Sequence, residues 1–221
     1  MKRTLVLLVA CAAATLLVAG VALASGSSFR DDFGSFDESR WDRGDHNLGR
    51  SYLDPANVTV SKGNLNLKLP ARTTDGAEIA SDELYGYGSY TARIKVPRAP
   101  SSITGFFLYY PPDRASEVDI EIFNDGSRKV MFTSYTDGNK VTDTMKLPFD
   151  PTRGFHEYRF DYAPGSLKFY VDGKLMQTFS GDVPDEPMRL YTNAWYPNWL
   201  AGKKSGKNGF VKVDWIRHVQ R

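Results

Sequence analysis

The sequence predicts an all-β fold: a sandwich of two antiparallel sheets. Three observations carry this. Helical periodicity is almost absent from the 221 residues, and short runs of alternating apolar and polar side chains are separated by turn signals. Aromatic residues are abundant, with 13 Phe, 12 Tyr and 4 Trp to fill a core. The single cysteine, Cys11, falls in an N-terminal segment, so the remainder has no disulfide to staple it and must be held by that core.

The elements follow in order. Lys2 and Arg3 precede an apolar run from Thr4 to Ala24 that ends in the small-x-small signal Ala22-Leu23-Ala24. This pattern predicts a secretory signal peptide over residues 1–24 and a single domain over 25–221. An uncleaved anchor, or lipid attachment at Cys11, is the alternative; each also exports the domain. Beyond the signal, strands are expected at Asn57–Val60 and Asn64–Leu69 around Lys62-Gly63, at Ser89–Val96 and at Thr104–Tyr109. An acidic strand at 116–123 turns through Asn124-Asp125-Gly126 into Lys129–Tyr135. A meander follows: Tyr158–Tyr162, Leu167–Val171 and Lys174–Phe179, with turns at Pro164-Gly165 and Asp172-Gly173. Residues 188–195 and 210–219 supply the last strands, and Phe149–Gly154 a short helical turn. The 28 basic and 26 acidic side chains leave a net charge of +2. With no basic stripe in the sequence, no nucleic-acid partner is expected, and no membrane contact beyond the N-terminal signal; a monomer is expected.

The acidic strand reads Ser-Glu-Val-Asp-Ile-Glu-Ile-Phe. Period two sends Val118, Ile120 and Ile122 into a core and places Glu117, Asp119 and Glu121 together on the other face. Like charges so close repel and destabilise the strand. Residues i and i+4 of a strand lie ~13 Å apart at Cα. Two glutamates leaning toward each other bring their carboxyls to about 5–6 Å, the separation a retaining glycosidase uses. The alternatives are a solvated acidic face and a divalent metal site, though one straight strand converges ligands poorly.

Glu-x-Asp-x-Glu-x-Phe on a strand resembles the signature of glycoside hydrolase family 16, and within it the bacterial β-1,3-1,4-glucanases (lichenases). Tyr85-Gly86-Tyr87-Gly88, Phe106-Phe107, Lys129-Val130, Tyr135-Thr136-Asp137-Gly138, Gly154-Phe155-His156, Tyr170-Val171-Asp172-Gly173, Asn193-x-Trp195 and Asp214-Trp215 extend the likeness from about Phe29 to Arg217. The resemblance implies a concanavalin-like jelly roll with a concave sugar cleft and a secreted, retaining endo-β-glucan hydrolase. Glu117 would be the nucleophile, Glu121 the acid/base and Asp119 the helper. Trp195, Tyr135, Glu78 and Asn47 would contact the polysaccharide substrate, with Trp199 at the cleft rim and Trp41 and Trp215 in the core. No cofactor is needed for the reaction. The family's structural calcium would fall at Asp214 and the carbonyl of Gly63, unless Asp214 only caps a strand. The likeness has gaps. Ala115-Ser116, Ala80, Met131 and Thr133 stand where lichenases carry sugar-reading side chains, and Gly76 stands at one site of their cysteine pair. These gaps put the polysaccharide in doubt more than the reaction. A non-catalytic sugar-binding sandwich, a transglycosylase and a hydrolase of another β-linked polysaccharide stay open at this point.

Overall fold

The computed structural model describes residues 26–221; the predicted signal peptide lies outside them. Among the described residues are seventeen strands and one short 3-10 turn, Pro55–Asn57. The chain begins with β1 (Phe29–Asp31), β2 (Trp41–Arg43), β3 (His46–Leu48), β4 (Ser51–Leu53), β5 (Val58–Ser61) and β6 (Asn64–Leu69). It continues with β7 (Ala77–Tyr85), β8 (Gly88–Lys95), β9 (Ile103–Tyr110), β10 (Ser116–Phe123), β11 (Lys129–Thr136) and β12 (Asn139–Lys146). It ends with β13 (His156–Ala163), β14 (Ser166–Val171), β15 (Lys174–Ser180), β16 (Met188–Trp195) and β17 (Gly209–Gln220).

Two large antiparallel sheets stack as the expected sandwich. One runs β15-β14-β13-β8-β17-β6-β5, with β1 added beside β17; the other runs β12-β11-β10-β9-β16-β7-β2. Strict alternation in β8, buried at every second residue from Gly88 to Ile94, shows why: each sheet has one apolar face to hide. Aromatic rings fill the space between. Phe132 of the second sheet stacks on Phe169 of the first at 4.9 Å, and Phe106 packs on Phe160 at 5.4 Å. Trp41 is buried and its indole N–H donates to Asp31 at 2.8 Å. Trp215, expected in the core, instead lies half-buried on the outer face of the first sheet beneath the Arg30 guanidinium.

The hairpin signals act as expected. Lys62-Gly63 and Asp172-Gly173 both take left-handed φ at each turn position, the backbone a two-residue type I′ hairpin requires. Asp137-Gly138 does the same and joins β11 to β12. Phe149–Gly154 forms turns rather than a helix.

Candidate active site

The face of β10 turned away from the core is the floor of a cleft of about 450 Å³. Val118, Ile120 and Ile122 are fully buried between the sheets, so Glu117, Asp119 and Glu121 must point the other way, and all three line the cleft. Register places Glu117 between Tyr109 of β9 and Tyr135 of β11, Asp119 between Phe107 and Thr133, and Glu121 between Gly105 and Met131. The floor continues across the sheet to Lys140 of β12 on one side and to Tyr191, Asn193 and Glu78 on the other.

Burial and mutual repulsion separate the three carboxyls. Loss of water raises Glu121, further lifted by the Glu117 charge, to about 7. Asp119 lies well above the ordinary carboxylate range because it is desolvated and faces charge on both sides. It hydrogen-bonds Glu117; the proton on Asp119 favours an ionised Glu117 and offsets part of the burial that raises Glu117. The strand therefore presents a carboxyl that a proton-bearing neighbour pulls toward its anion against the effect of burial, and a carboxylic acid that still holds its proton near neutral pH, the pairing that glycoside cleavage uses.

Lys140 stands directly across from Tyr135 in register, its ammonium over the Tyr135 ring at 5.4 Å. Its charge lowers both Glu117 and Glu121. Replacing Lys140 with Gln removes a cation that favours the ionised acids, so both limbs of the pH–rate profile are expected to move to higher pH. Limbs that stay in place would mean that Lys140 does not reach the acids electrostatically.

The other end of the cleft is a hydrogen-bonded chain. Glu78, 3% exposed, accepts from Asn193 Nδ2 at 3.0 Å and meets His46 Nε2 at 2.9 Å. Asn193 Oδ1 in turn accepts from the Gly105 amide at 3.2 Å, and His46 Nδ1 lies 3.2 Å from the Asn47 carbonyl. Both imidazole nitrogens thus face acceptors, and the hydrogen bond to Glu78 raises the His46 pKa. Gly105 has to be glycine here: a Cβ would come within 2.6 Å of Asn193 Oδ1.

Trp195, Tyr135 and Glu78 line the cleft, and Trp199, 54% exposed, forms its rim with an edge contact to Phe123 at 6.0 Å. Asn47 does not line it. Alternation in β3 turns His46 and Leu48 toward the cleft and the Asn47 side chain away, so Asn47 contributes only its carbonyl. Sequence reasoning missed His46, Lys140 and Tyr191, which stacks on Phe107 with centroids 4.9 Å apart; Phe107 was marked by the likeness, without a role. Asn193 was marked by the Asn-x-Trp likeness, without a role.

At the spot expected to hold calcium, the Asp214 side chain is engaged by another cation. The Asp214 carboxylate forms an ion pair with the Arg93 guanidinium, so a fixed cation already occupies its charge. No group of three His, Cys, Asp or Glu side chains able to hold a metal occurs among the described residues. Gly63 sits at the left-handed second position of the β5–β6 turn, which accounts for the glycine without an ion. A chelator is expected to leave the melting temperature unchanged; a fall restored by added calcium would contradict the Arg93 assignment.

A two-sheet sandwich with paired carboxyls on the floor of an open cleft defines an endo-acting glycoside hydrolase. The sequence profile of glycosyl hydrolases family 16 matches residues 50–217. The chain belongs to that family. It is 31% identical to a beta-glucanase of Paenibacillus macerans, covering 92% of each chain. It is 32% identical to a beta-glucanase of Bacillus subtilis (strain 168), covering 100% of this chain and 99% of that one. The solved structure of Bacillus licheniformis beta-glucanase superposes with a TM-score of 0.82 at 28% identity, covering 90% of this chain and 100% of that one.

Proposed function

We propose that the protein is an exported, retaining endo-β-glucanase that cleaves mixed-linkage β-1,3-1,4-glucan. The observation that carries it is the row Glu117, Asp119, Glu121 on the cleft floor, with Glu121 holding its proton to about 7 and the Asp119 hydrogen bond opposing the rise that burial causes in Glu117. Glu117 attacks the anomeric carbon while Glu121 delivers its proton to the departing oxygen. Glu121, now a base, takes a proton from water, and the hydroxide resolves the glycosyl-enzyme bond on Glu117. Asp119 holds Glu117 through their hydrogen bond and keeps its own proton. Trp195 offers a flat apolar face to a pyranose ring. The charged n-region and apolar run at residues 2–24 support export, and the beta-glucanase relatives support the substrate.

A second substrate reading has its own support. Met131 and Thr133 line the cleft beside Glu121 and Asp119. Thr142 gives its proton to the Phe132 carbonyl, so Thr133 donates its own to Thr142 at 3.0 Å and keeps only acceptor capacity for a sugar, while Met131 offers no donor at all. Another β-linked polysaccharide fits such a shell. Reducing-end release from mixed-linkage glucan, laminarin, xyloglucan, agarose and carrageenan, with Glu117→Gln as blank, tests both readings. Release from mixed-linkage glucan is the expected result. Release from another polymer alone keeps the chemistry and moves the substrate. No release from any polymer, with binding retained, would leave a sugar-binding sandwich.

A further inference from the structure

The charge of this chain is balanced but not evenly spread. Without Lys2 and Arg3 it carries 26 basic and 26 acidic side chains, a net charge of zero. Yet the segment 200–213, which leads from Trp199 at the cleft rim into β17, contains Lys203, Lys204, Lys207 and Lys212 and no acid. Its loop is fixed rather than trailing. The Arg72 amide donates to the Ser205 carbonyl at 2.8 Å, and the Ala71 amide to Asn208 Oδ1 at 2.8 Å.

The same cationic track continues on the sheet. Lys212 of β17 stands directly opposite Lys95 of β8, and Lys68 of β6 pairs with Phe210, two residues before Lys212. Alternation turns all three away from the core, since Val211, Val213, Ile94, Leu67 and Leu69 are buried between them. Two ammonium groups facing each other across a ladder repel and destabilise it. None of these six lysines forms an ion pair among the described residues, whereas Arg93 beside them is matched by Asp214. The lysines come from three strands and a loop, so no stripe is visible along the chain.

We propose that this loop and the outer face of β8, β17 and β6 form a second binding surface for an acidic polysaccharide, one bearing carboxylate or sulfate groups on its sugars. Charge complementarity calls for a polyanion. Continuity decides which one: the track begins at Trp199, so a sugar chain leaving the cleft over that rim runs onto Lys203 and Lys204. A bilayer is a poor match, because Trp199 and Phe210 are the only large apolar side chains exposed beside these lysines, at opposite ends of the 200–208 loop, and form no continuous apolar face. The proposal goes beyond the hydrolysis itself and rests only on a sugar chain occupying the cleft.

The test is affinity electrophoresis of the Glu117→Gln protein in gels containing polygalacturonate, dextran sulfate, neutral mixed-linkage glucan or no polymer, with duplex DNA and anionic phospholipid vesicles as competitors. Retardation by one of the two acidic glycans, weakened by salt, is expected, and which of them retards tells carboxylate from sulfate. The triple change Lys68→Gln, Lys95→Gln, Lys212→Gln should weaken that retardation about tenfold. In the otherwise wild-type enzyme, the same triple change should leave the melting temperature and hydrolysis of neutral glucan unchanged. Lys203→Gln with Lys204→Gln, on the loop, is an independent variant with the same expectation for acidic-glycan binding. No retardation by either acidic glycan, equal retardation of the variants, or tighter binding of DNA or vesicles would overturn the proposal. Failure to hydrolyse any glucan would count against the proposed function and leave this binding result standing on its own.

Discussion

Replacing Glu117 with Gln is expected to lower turnover by about 10^4-fold or more while leaving the fold and polysaccharide binding intact. The amide fills the same space between Tyr109 and Tyr135 but cannot form the glycosyl ester. Stability should rise slightly. The three neighbouring acids are desolvated and repel, and Glu117 is among the charges that raise both Asp119 and Glu121. The sign follows from proton linkage. These groups have folded pKa values above their unfolded ones, so the folded state holds more protons and loses stability as pH rises from the ordinary carboxylate range toward 7. The gain in melting temperature for Glu117→Gln should therefore be larger at pH near 7 than at pH near 4. Thermal melts at the two pH values, alongside reducing-end assays, check both halves. Turnover within tenfold of wild type would remove Glu117 from the nucleophile's role.

The second large effect concerns Glu121. Glu121→Gln is expected to cost about 10^2- to 10^4-fold on the polysaccharide, because an alkoxide leaving without a proton is unfavourable. The loss should depend on the leaving group. An aryl glycoside whose phenol leaves unassisted needs no acid, so its first step should be nearly unaffected and the burst of released phenol should persist. Resolution of the intermediate should then be slow, because no base activates water; azide, which needs no deprotonation, should restore it. In the wild type, the rate should fall as pH rises through about 7, the point at which Glu121 loses its proton. It should fall again in acid as Glu117 is protonated. An alkaline limb that survives Glu121→Gln would assign it to another group.

Much of this site was legible because a strand has period two. Three carboxyls alternating with Val118, Ile120 and Ile122 can share only one face, and repulsion on that face is conspicuous without a purpose. The central and meander strands were equally plain, bounded by Lys62-Gly63 and Asp172-Gly173. β7 was not. Its Ala-Glu-Ile-Ala-Ser-Asp-Glu-Leu-Tyr run is buried on both faces over its first five residues, so alternation vanishes and small residues replace β-branched ones. β12 is a mostly exposed edge strand with Lys140 and Lys146 near its ends, largely polar along its length, and the Asp137-Gly138 turn that leads into it was noted only as part of the family likeness. His46 and Lys140 were invisible for a related reason: each reaches the cleft through long-range pairing, His46 to Glu78 and Lys140 across from Tyr135. The likeness that suggested Asn47 was one residue off in effect, and in a strand one residue is a change of face.

The central claim is that Glu117 becomes covalently bound to the sugar. Incubating the enzyme with an activated 2-deoxy-2-fluoro glycoside of a β-glucan oligosaccharide, then measuring the intact mass and mapping the labelled peptide, tests it most directly. The fluorine slows both steps, and the activated leaving group lets the first proceed. The account predicts a mass increase of one glycosyl unit, located on Glu117. Inactivation with the label on Asp119, Glu121 or any other residue would contradict it.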